Sequence, residues 1–162
     1  MQPYLFDATA LVKLVIDEQG SRAIRQLCST PEVIRTTWLC LAEAYGVVKR
    51  HWRKEKWTAE RYCRKIFDLQ HYVQRRIKLE GSINLSQKDF RETERIHAQY
   101  RIDFSDALLV VVLRSGLYAH LAGNSKPVLV TSDKNLFRAA RAEGIVTWNP
   151  EKEKLLHGSD ET

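Results

Sequence analysis

The sequence predicts an α/β fold built on a mainly parallel sheet. Short runs rich in β-branched and aromatic residues alternate along the chain with stretches whose apolar residues recur at helical spacing. Helix-capping residues and glycines fall at the junctions between them. With 162 residues, 44% of them hydrophobic and 28% charged, the chain can bury one core and is neither disordered nor fibrous in composition. Residues 1–150 are therefore expected to form one domain, with a polar C-terminal tail over 151–162.

The elements follow in order. Pro3 to Phe6 is a short apolar run that reads as a strand ending at Asp7. Ala8 to Ile16 then places Ala10, Leu11, Leu14 and Val15 at helical spacing. Ser21 reads as the N-cap of a helix carrying Ala23, Ile24 and Leu27, which Pro31 stops. Val33 to Thr37 is β-branched at four of five positions and reads as the second strand. From Trp38, the residues Leu41, Ala42, Tyr45, Val48 and Trp52 trace a helix. Thr58 caps another, whose inner face is Tyr62, Ile66, Leu69, Val73 and Ile77. Together these form a helical arm over 49–80, ended by Gly81, and a short strand is expected over Ser82 to Leu85. Ser86 with Asp89 at the third position predicts a capped helix to about Tyr100.

The run Val110-Val111-Val112 fits a buried strand or a buried helix by periodicity alone. Ser105 or Asp103 as N-cap and Gly116 as a stop favour the helix. Val128 to Thr131 is the next strand, and a helix with Leu136, Phe137, Ala139 and Ala140 follows until Gly144. Ile145 to Trp148 reads as the last strand.

The net charge of +6 is concentrated. Residues 49–65 carry Lys49, Arg50, Arg53, Lys54, Lys56, Arg61, Arg64 and Lys65 against Glu55 and Glu60, which accounts for the whole excess. A local basic surface of this kind suits a polyanion, nucleic acid first. The longest apolar run, Leu108 to Leu113, is far short of the ~20 residues a membrane span needs, and the N-terminus lacks a signal-peptide pattern. Three widely spaced cysteines with no CxxC pair suit reduced thiols. The expectation is a soluble, cytoplasmic protein without a membrane partner. No GxSxG, Walker A, GxGxxG or HExxH motif occurs, so serine hydrolase, P-loop, dinucleotide-binding and zincin chemistry have no support.

In an open parallel sheet, ligands bind beyond the carboxyl ends of the strands. Asp7 and Asp133 stand there by construction, Asp106 begins a buried helix, and Glu43 lies one turn into the helix after the second strand. Each alone reads as a cap, a first-turn acid or a solvated flank residue. Together they converge on one rim. Clustered carboxylates repel unless a cation neutralises them, which implies a hard, oxygen-preferring metal, Mg²⁺ or Mn²⁺.

Four blocks carry a family resemblance: Tyr4-Leu5-Phe6-Asp7-Ala8-Thr9-Ala10-Leu11-Val12-Lys13, Leu41-Ala42-Glu43-Ala44, Asp103-Phe104-Ser105-Asp106-Ala107-Leu108 and Val130-Thr131-Ser132-Asp133. In order and spacing the chain resembles PIN-domain ribonucleases, most closely the VapC-like toxins of toxin–antitoxin pairs. The resemblance implies a three-layer α/β/α sandwich and a Mg²⁺- or Mn²⁺-dependent endoribonuclease with water as nucleophile. It implies an antitoxin partner and a homodimer. By matching positions, Asp7, Glu43, Asp106 and Asp133 would be metal-binding acids, with Asp103 auxiliary. Thr9 and Thr131 match hydroxyl positions that orient a carboxylate or water, or serve as turn and cap residues.

The segment from Lys49 to Glu80 is longer and more basic than a compact toxin needs. Arg50, Arg53, Lys54 and Lys56 are the expected RNA contacts, with Trp57 as either an RNA-stacking or a packing residue. Trp52 and Tyr62 are expected to pack inward. The rival reading is a non-catalytic PIN-like RNA-binding or protein-interaction module, in which the acids act only as caps.

Overall fold

A computed structural model of the chain describes residues 3–80, 85–115 and 126–154. The elements run β1 (Pro3–Phe6), α1 (Ala8–Val15), α2 (Ser21–Cys28), β2 (Val33–Thr37), α3 (Trp38–Lys54), α4 (Ala59–Arg75) and β3 (Ile77–Glu80). They continue with α5 (Gln87–Tyr100), α6 (Phe104–Arg114), β4 (Val128–Val130), α7 (Lys134–Ala142) and β5 (Thr147–Trp148). The strands form one sheet in the order β3-β2-β1-β4-β5, and every pairing is parallel. Helices α1 to α4 pack with one another on one side, and α5, α6 and α7 pack on the other, giving three layers. Among the described residues, no helix is long and apolar enough to cross a membrane.

The central strands are buried on both faces, as a sheet between helical layers requires. Tyr4, Leu5 and Phe6 of β1 and Val128, Leu129 and Val130 of β4 are all core residues. The Val110-Val111-Val112 run lies inside α6 and is buried throughout. Strand order reverses between β1 and β4, the two neighbours from which the chain winds outward in opposite directions. That crevice is the topological switch point, where open α/β sheets bind ligands.

Three sequence expectations are corrected. Ile77 continues the helical spacing of Leu69 and Val73, yet it belongs to β3, where it pairs with Ile34. The helix stops before Ile77 because Arg76 turns its guanidinium onto the backbone carbonyls of Cys28 (2.6 Å), Glu32 (2.9 Å) and Thr30, fixing the end of α4 against the loop before β2. Ser21 is the first residue of α2 rather than its N-cap. Gly20 holds that place with φ +84°, and a Cβ there would lie 3.0 Å from the backbone of Pro150. The Ser21 hydroxyl instead donates to the Ile16 carbonyl (2.8 Å) and accepts from the Glu18 N–H (3.0 Å). The last two strands are also shorter than predicted, β4 ending at Val130 and β5 beginning at Thr147. Most of the strand expected over Ser82 to Leu85, the stops at Gly81 and Gly116, and the tail over 155–162 lie outside the described residues.

Other local predictions meet their expected partners. Thr58 accepts from the Arg61 N–H, and Ser86 with Asp89 forms a reciprocal capping box. Trp52 and Tyr62 stack across α3 and α4 with ring centroids 4.5 Å apart.

Candidate active site

The carboxylate of Asp7 is the best-held acid at the switch point. Its backbone N–H continues the β1–β4 pairing by donating to the Val130 carbonyl at 3.2 Å, which carries the side chain just past the strand end. There it caps α1, with Oδ1 accepting from the Ala10 N–H at 2.8 Å. The Thr9 hydroxyl donates to Oδ1 at 2.8 Å, and the Thr131 hydroxyl donates to Oδ2 at 2.5 Å. Asp7 is only 4% exposed.

Thr9 and Thr131 also tie neighbouring segments together. Thr9 Oγ1 accepts from the Ser132 N–H at 2.8 Å, and Thr131 Oγ1 accepts from the Asp133 N–H at 3.0 Å. Thr131 is fully buried and stands behind Asp7, whereas Thr9 reaches the cleft itself. Asp133 caps α7 through Oδ1, which accepts from the N–H groups of Asn135 (2.7 Å) and Leu136 (2.8 Å). Asp103 holds the N-cap position of α6 but makes no side-chain capping bond.

Asp7, Glu43, Asp103, Asp106 and Asp133 all line one cleft of about 60 Å³. Leu39, Cys40, Ser105 and Leu109 complete much of its wall, and the sequence reading did not single these out for the site. Leu39 and Cys40 could have been found from their place one turn before Glu43 on α3.

Crowding shows in the acidities. Burial pushes the Asp7 carboxyl up to about 6, against the opposing hydrogen bonds from Thr131, Ala10 and Thr9, and Glu43 adds to the rise. Asp106 is pushed up to about 7, first by burial and then by Glu43, Asp133, Asp7 and Asp103. Glu43 is raised by partial desolvation and by Asp103, with Arg50 pulling the other way. Burial lifts the Cys40 thiol to about 12, so it stays protonated and is no nucleophile at neutral pH.

Among the described residues, no group of three acidic, His or Cys side chains is placed to hold a metal ion by itself. The donor chemistry still fits a hard cation, since the cleft offers carboxylate oxygens and its one thiol is protonated. Mg²⁺ keeps several waters and needs only one or two carboxylates directly, so an enclosing three-residue shell is not a requirement for it.

The basic residues fall elsewhere on α3. Arg50, Arg53 and Lys54 line a shallow hollow with Val47 and His51, and Lys56 is exposed just beyond. Trp57 is placed differently from the stacking role considered for it. It is 7% exposed, donates its indole N–H to Glu55 at 2.6 Å and is covered by the Arg61 guanidinium 4.4 Å from its ring centroid. Its backbone carbonyl accepts from the Trp52 indole N–H at 3.0 Å, so both tryptophans are spent on closing the turn between α3 and α4.

No protein-family model and no curated protein matches the sequence. Solved structures do. The crystal structure of PAE2754 from Pyrobaculum aerophilum matches with a TM-score of 0.57 at 20% identity, over 90% of this chain and 89% of that one. VapBC2 from Rickettsia felis, bound to a DNA fragment from their promoter, matches with a TM-score of 0.55 at 16% identity, over 91% of this chain and 98% of that one. VapBC-1 from nontypeable Haemophilus influenzae matches with a TM-score of 0.53 at 11% identity, over 93% of this chain and 100% of that one. The likeness is one of fold: over about nine-tenths of its length the chain shares the α/β/α architecture of these structures, the fold that its four motif blocks led us to expect.

Proposed function

We propose that this chain is a divalent-metal-dependent endoribonuclease and the toxin of a toxin–antitoxin pair. The observation that carries the reading is the convergence of five acids from separate parts of the chain on one cleft at the switch point. Such crowding is costly in a cap-only role and useful where a cation must be held. The basic residues of α3 supply the complementary surface for a polyanion.

Asp7, Glu43, Asp106 and Asp133 would hold Mg²⁺ or Mn²⁺, with Asp103 auxiliary. When bound, the cation would screen these carboxylates from one another and supply Lewis-acid stabilisation to the reacting phosphate. The chain's own contribution is orientation. Thr9 and Thr131 fix both oxygens of Asp7, and Thr131 links that acid to the backbone of Asp133. With Cys40 protonated, water is the nucleophile of this reading.

The fold shared with VapBC structures supports a toxin held in check by an antitoxin protein. A homodimer and a cytoplasmic location belong to the same reading. The alternative is a non-catalytic RNA-binding or protein-interaction module in which the acids act as caps, as Asp7 and Asp133 do for α1 and α7. Incubation of the protein with mixed cellular RNA in Mg²⁺ or Mn²⁺, beside EDTA and Asp7→Asn controls, separates the two. Cleavage lost in both controls is expected. Absence of cleavage together with absence of metal binding would replace the nuclease by the module.

A further inference from the structure

After β4 the cations are masked in the sequence because acids stand between them. Asp133, Glu143, Glu151 and Glu153 are interspersed with Lys134, Arg138, Arg141 and Lys152. The fold separates the two signs. Asp133 turns to cap α7 and line the cleft, Glu143 meets Arg95 and Arg114, Glu151 reaches the buried Lys13 at 2.8 Å, and Glu153 pairs with Arg141 at 3.0 Å. Lys134, Arg138 and Lys152 are left over, and with Phe137 and Asn149 they line a hollow of about 370 Å³ that has no carboxylate in its wall. All three are exposed, and among the described residues none of them forms an ion pair.

The hollow lies on the rim that carries the cleft. Asn149 follows β5, which runs parallel to β4, and Lys134 is the residue after the cleft-lining Asp133. Phe137 and Arg138 stand about one turn further along α7. Lys134 opens that helix at the positive end of its dipole, where a cation is disfavoured and an anion favoured, and beyond the Asp133 cap no acid occupies the first turn. The wall is held in place. Asn149 is 2% exposed, and its Oδ1 accepts from the Glu151 N–H at 2.9 Å, which leaves the amide N–H₂ as its donor end. Arg138 donates to the Asn135 side chain at 2.9 Å, and the Arg141 guanidinium covers the Phe137 ring 4.5 Å from its centroid.

We infer that this hollow is a phosphate-binding site, separate from both the acid cleft and the basic hollow of α3, and that it holds backbone phosphates of an RNA strand running past the cleft. The inference rests on the nuclease reading for the source of its phosphate. Cations that meet phosphates release the counterions condensed on a nucleic acid, and the gain grows with the number of phosphates held together. A strand presents several phosphates at once, whereas a free nucleotide presents one group. The carboxylates of the cleft repel phosphate until a cation fills it, so a site of opposite sign on the same rim holds the strand where the cleft alone would not.

The test measures binding of a short labelled RNA in EDTA, where the cleft holds no cation and the basic surfaces alone attract the strand. Lys134→Ala, Arg138→Ala and Lys152→Ala combined should weaken binding about tenfold to 100-fold at about 0.1 M salt, and lower the slope of log K against log salt by up to about 2. Circular dichroism should not change, since all three side chains are exposed. Arg22→Ala, Lys88→Ala and Arg91→Ala combined remove the same charge from exposed positions outside the hollow, and should leave affinity and slope near those of the wild type. Equal losses in the two triple variants would reduce the effect to net charge and overturn the inference. Full affinity in the hollow variant would overturn it too, and is the result expected if an acidic protein segment is the occupant. Displacement of the RNA by a nucleoside monophosphate at equal phosphate concentration would remove the strand as the source. Cleavage in Mg²⁺ keeps the two readings apart: a hollow variant that binds and cleaves as the wild type does sinks the hollow alone, whereas a wild type that binds through the hollow without cleaving sinks the nuclease reading and leaves the hollow standing.

Discussion

In the cleft, five carboxylates share one small space, and among the described residues none of them forms an ion pair, whereas two other clusters in the molecule match acid with base. Lys13 is only 1% exposed yet is held between Glu18 at 2.6 Å and Glu151 at 2.8 Å, tying α1 to the segment after β5. Glu92 and Glu143 meet Arg95 and Arg114, linking α5, α6 and the end of α7. There the hydrogen bonds from Arg95 and Arg114 hold the Glu92 carboxyl down at about 2. Matched charges secure the fold, and the unmatched set stores an electrostatic cost that a cation can relieve.

The largest expected effect tests the unmatched set. On the nuclease reading proposed above, Asp7→Asn should lower RNA cleavage by at least about 100-fold, through loss of charge at the proposed cation site, while circular dichroism remains that of the wild type. Retained cleavage would remove Asp7 from the site. Next comes the matched set. Lys13→Ala leaves two carboxylates facing one another over a buried gap, at a cost of about 3 kcal/mol, and should lower Tm by roughly 10 °C. A change below about 2 °C would show that this triad contributes little.

The third prediction reverses the usual sign of a mutation. Asp106 has its carboxyl raised from the ordinary 3.8 to about 7, so the folded state binds its proton more tightly than the unfolded state does. The resulting penalty is absent below about pH 4, grows as pH rises and is complete above about pH 7. In EDTA, Asp106→Asn should therefore match the wild type near pH 4 and exceed its Tm by a few degrees at about pH 8. Mg²⁺ should close that gap by stabilising the wild type. Thermal scans at both pH values check the sign. The smallest effect belongs to the exposed network, where Arg114→Ala should shift Tm by less than about 3 °C, and less again in high salt.

Much of this was legible in the chain. The strand–helix alternation, the Thr58 cap, the Ser86–Asp89 capping box and the burial of Val110 to Val112 follow from local chemistry that the sequence carries directly. The four acids were legible because strand ends and helix starts can be located, and a parallel sheet sends those ends to one rim, whereas Asp103 entered only through the family resemblance. Ile77 is ambiguous in sequence because a residue at helical spacing is also free to pair in a strand. Pairing with Ile34 settles the matter. Trp57 and Trp38 carry the same side chain, yet one is buried at a helix turn and the other, at the start of α3, is exposed.

By itself, then, the sequence determined the fold class, the acids that follow β1 and β4 and the excess of positive charge over 49–65. Those are properties of neighbours along the chain. Only the tertiary structure decided that Thr131 would hold Asp7 across 124 residues, that Lys13 would meet Glu151, and which aromatic rings would face water. These depend on how layers stack and strands order across the sheet, and contacts between distant segments leave no periodicity in the sequence.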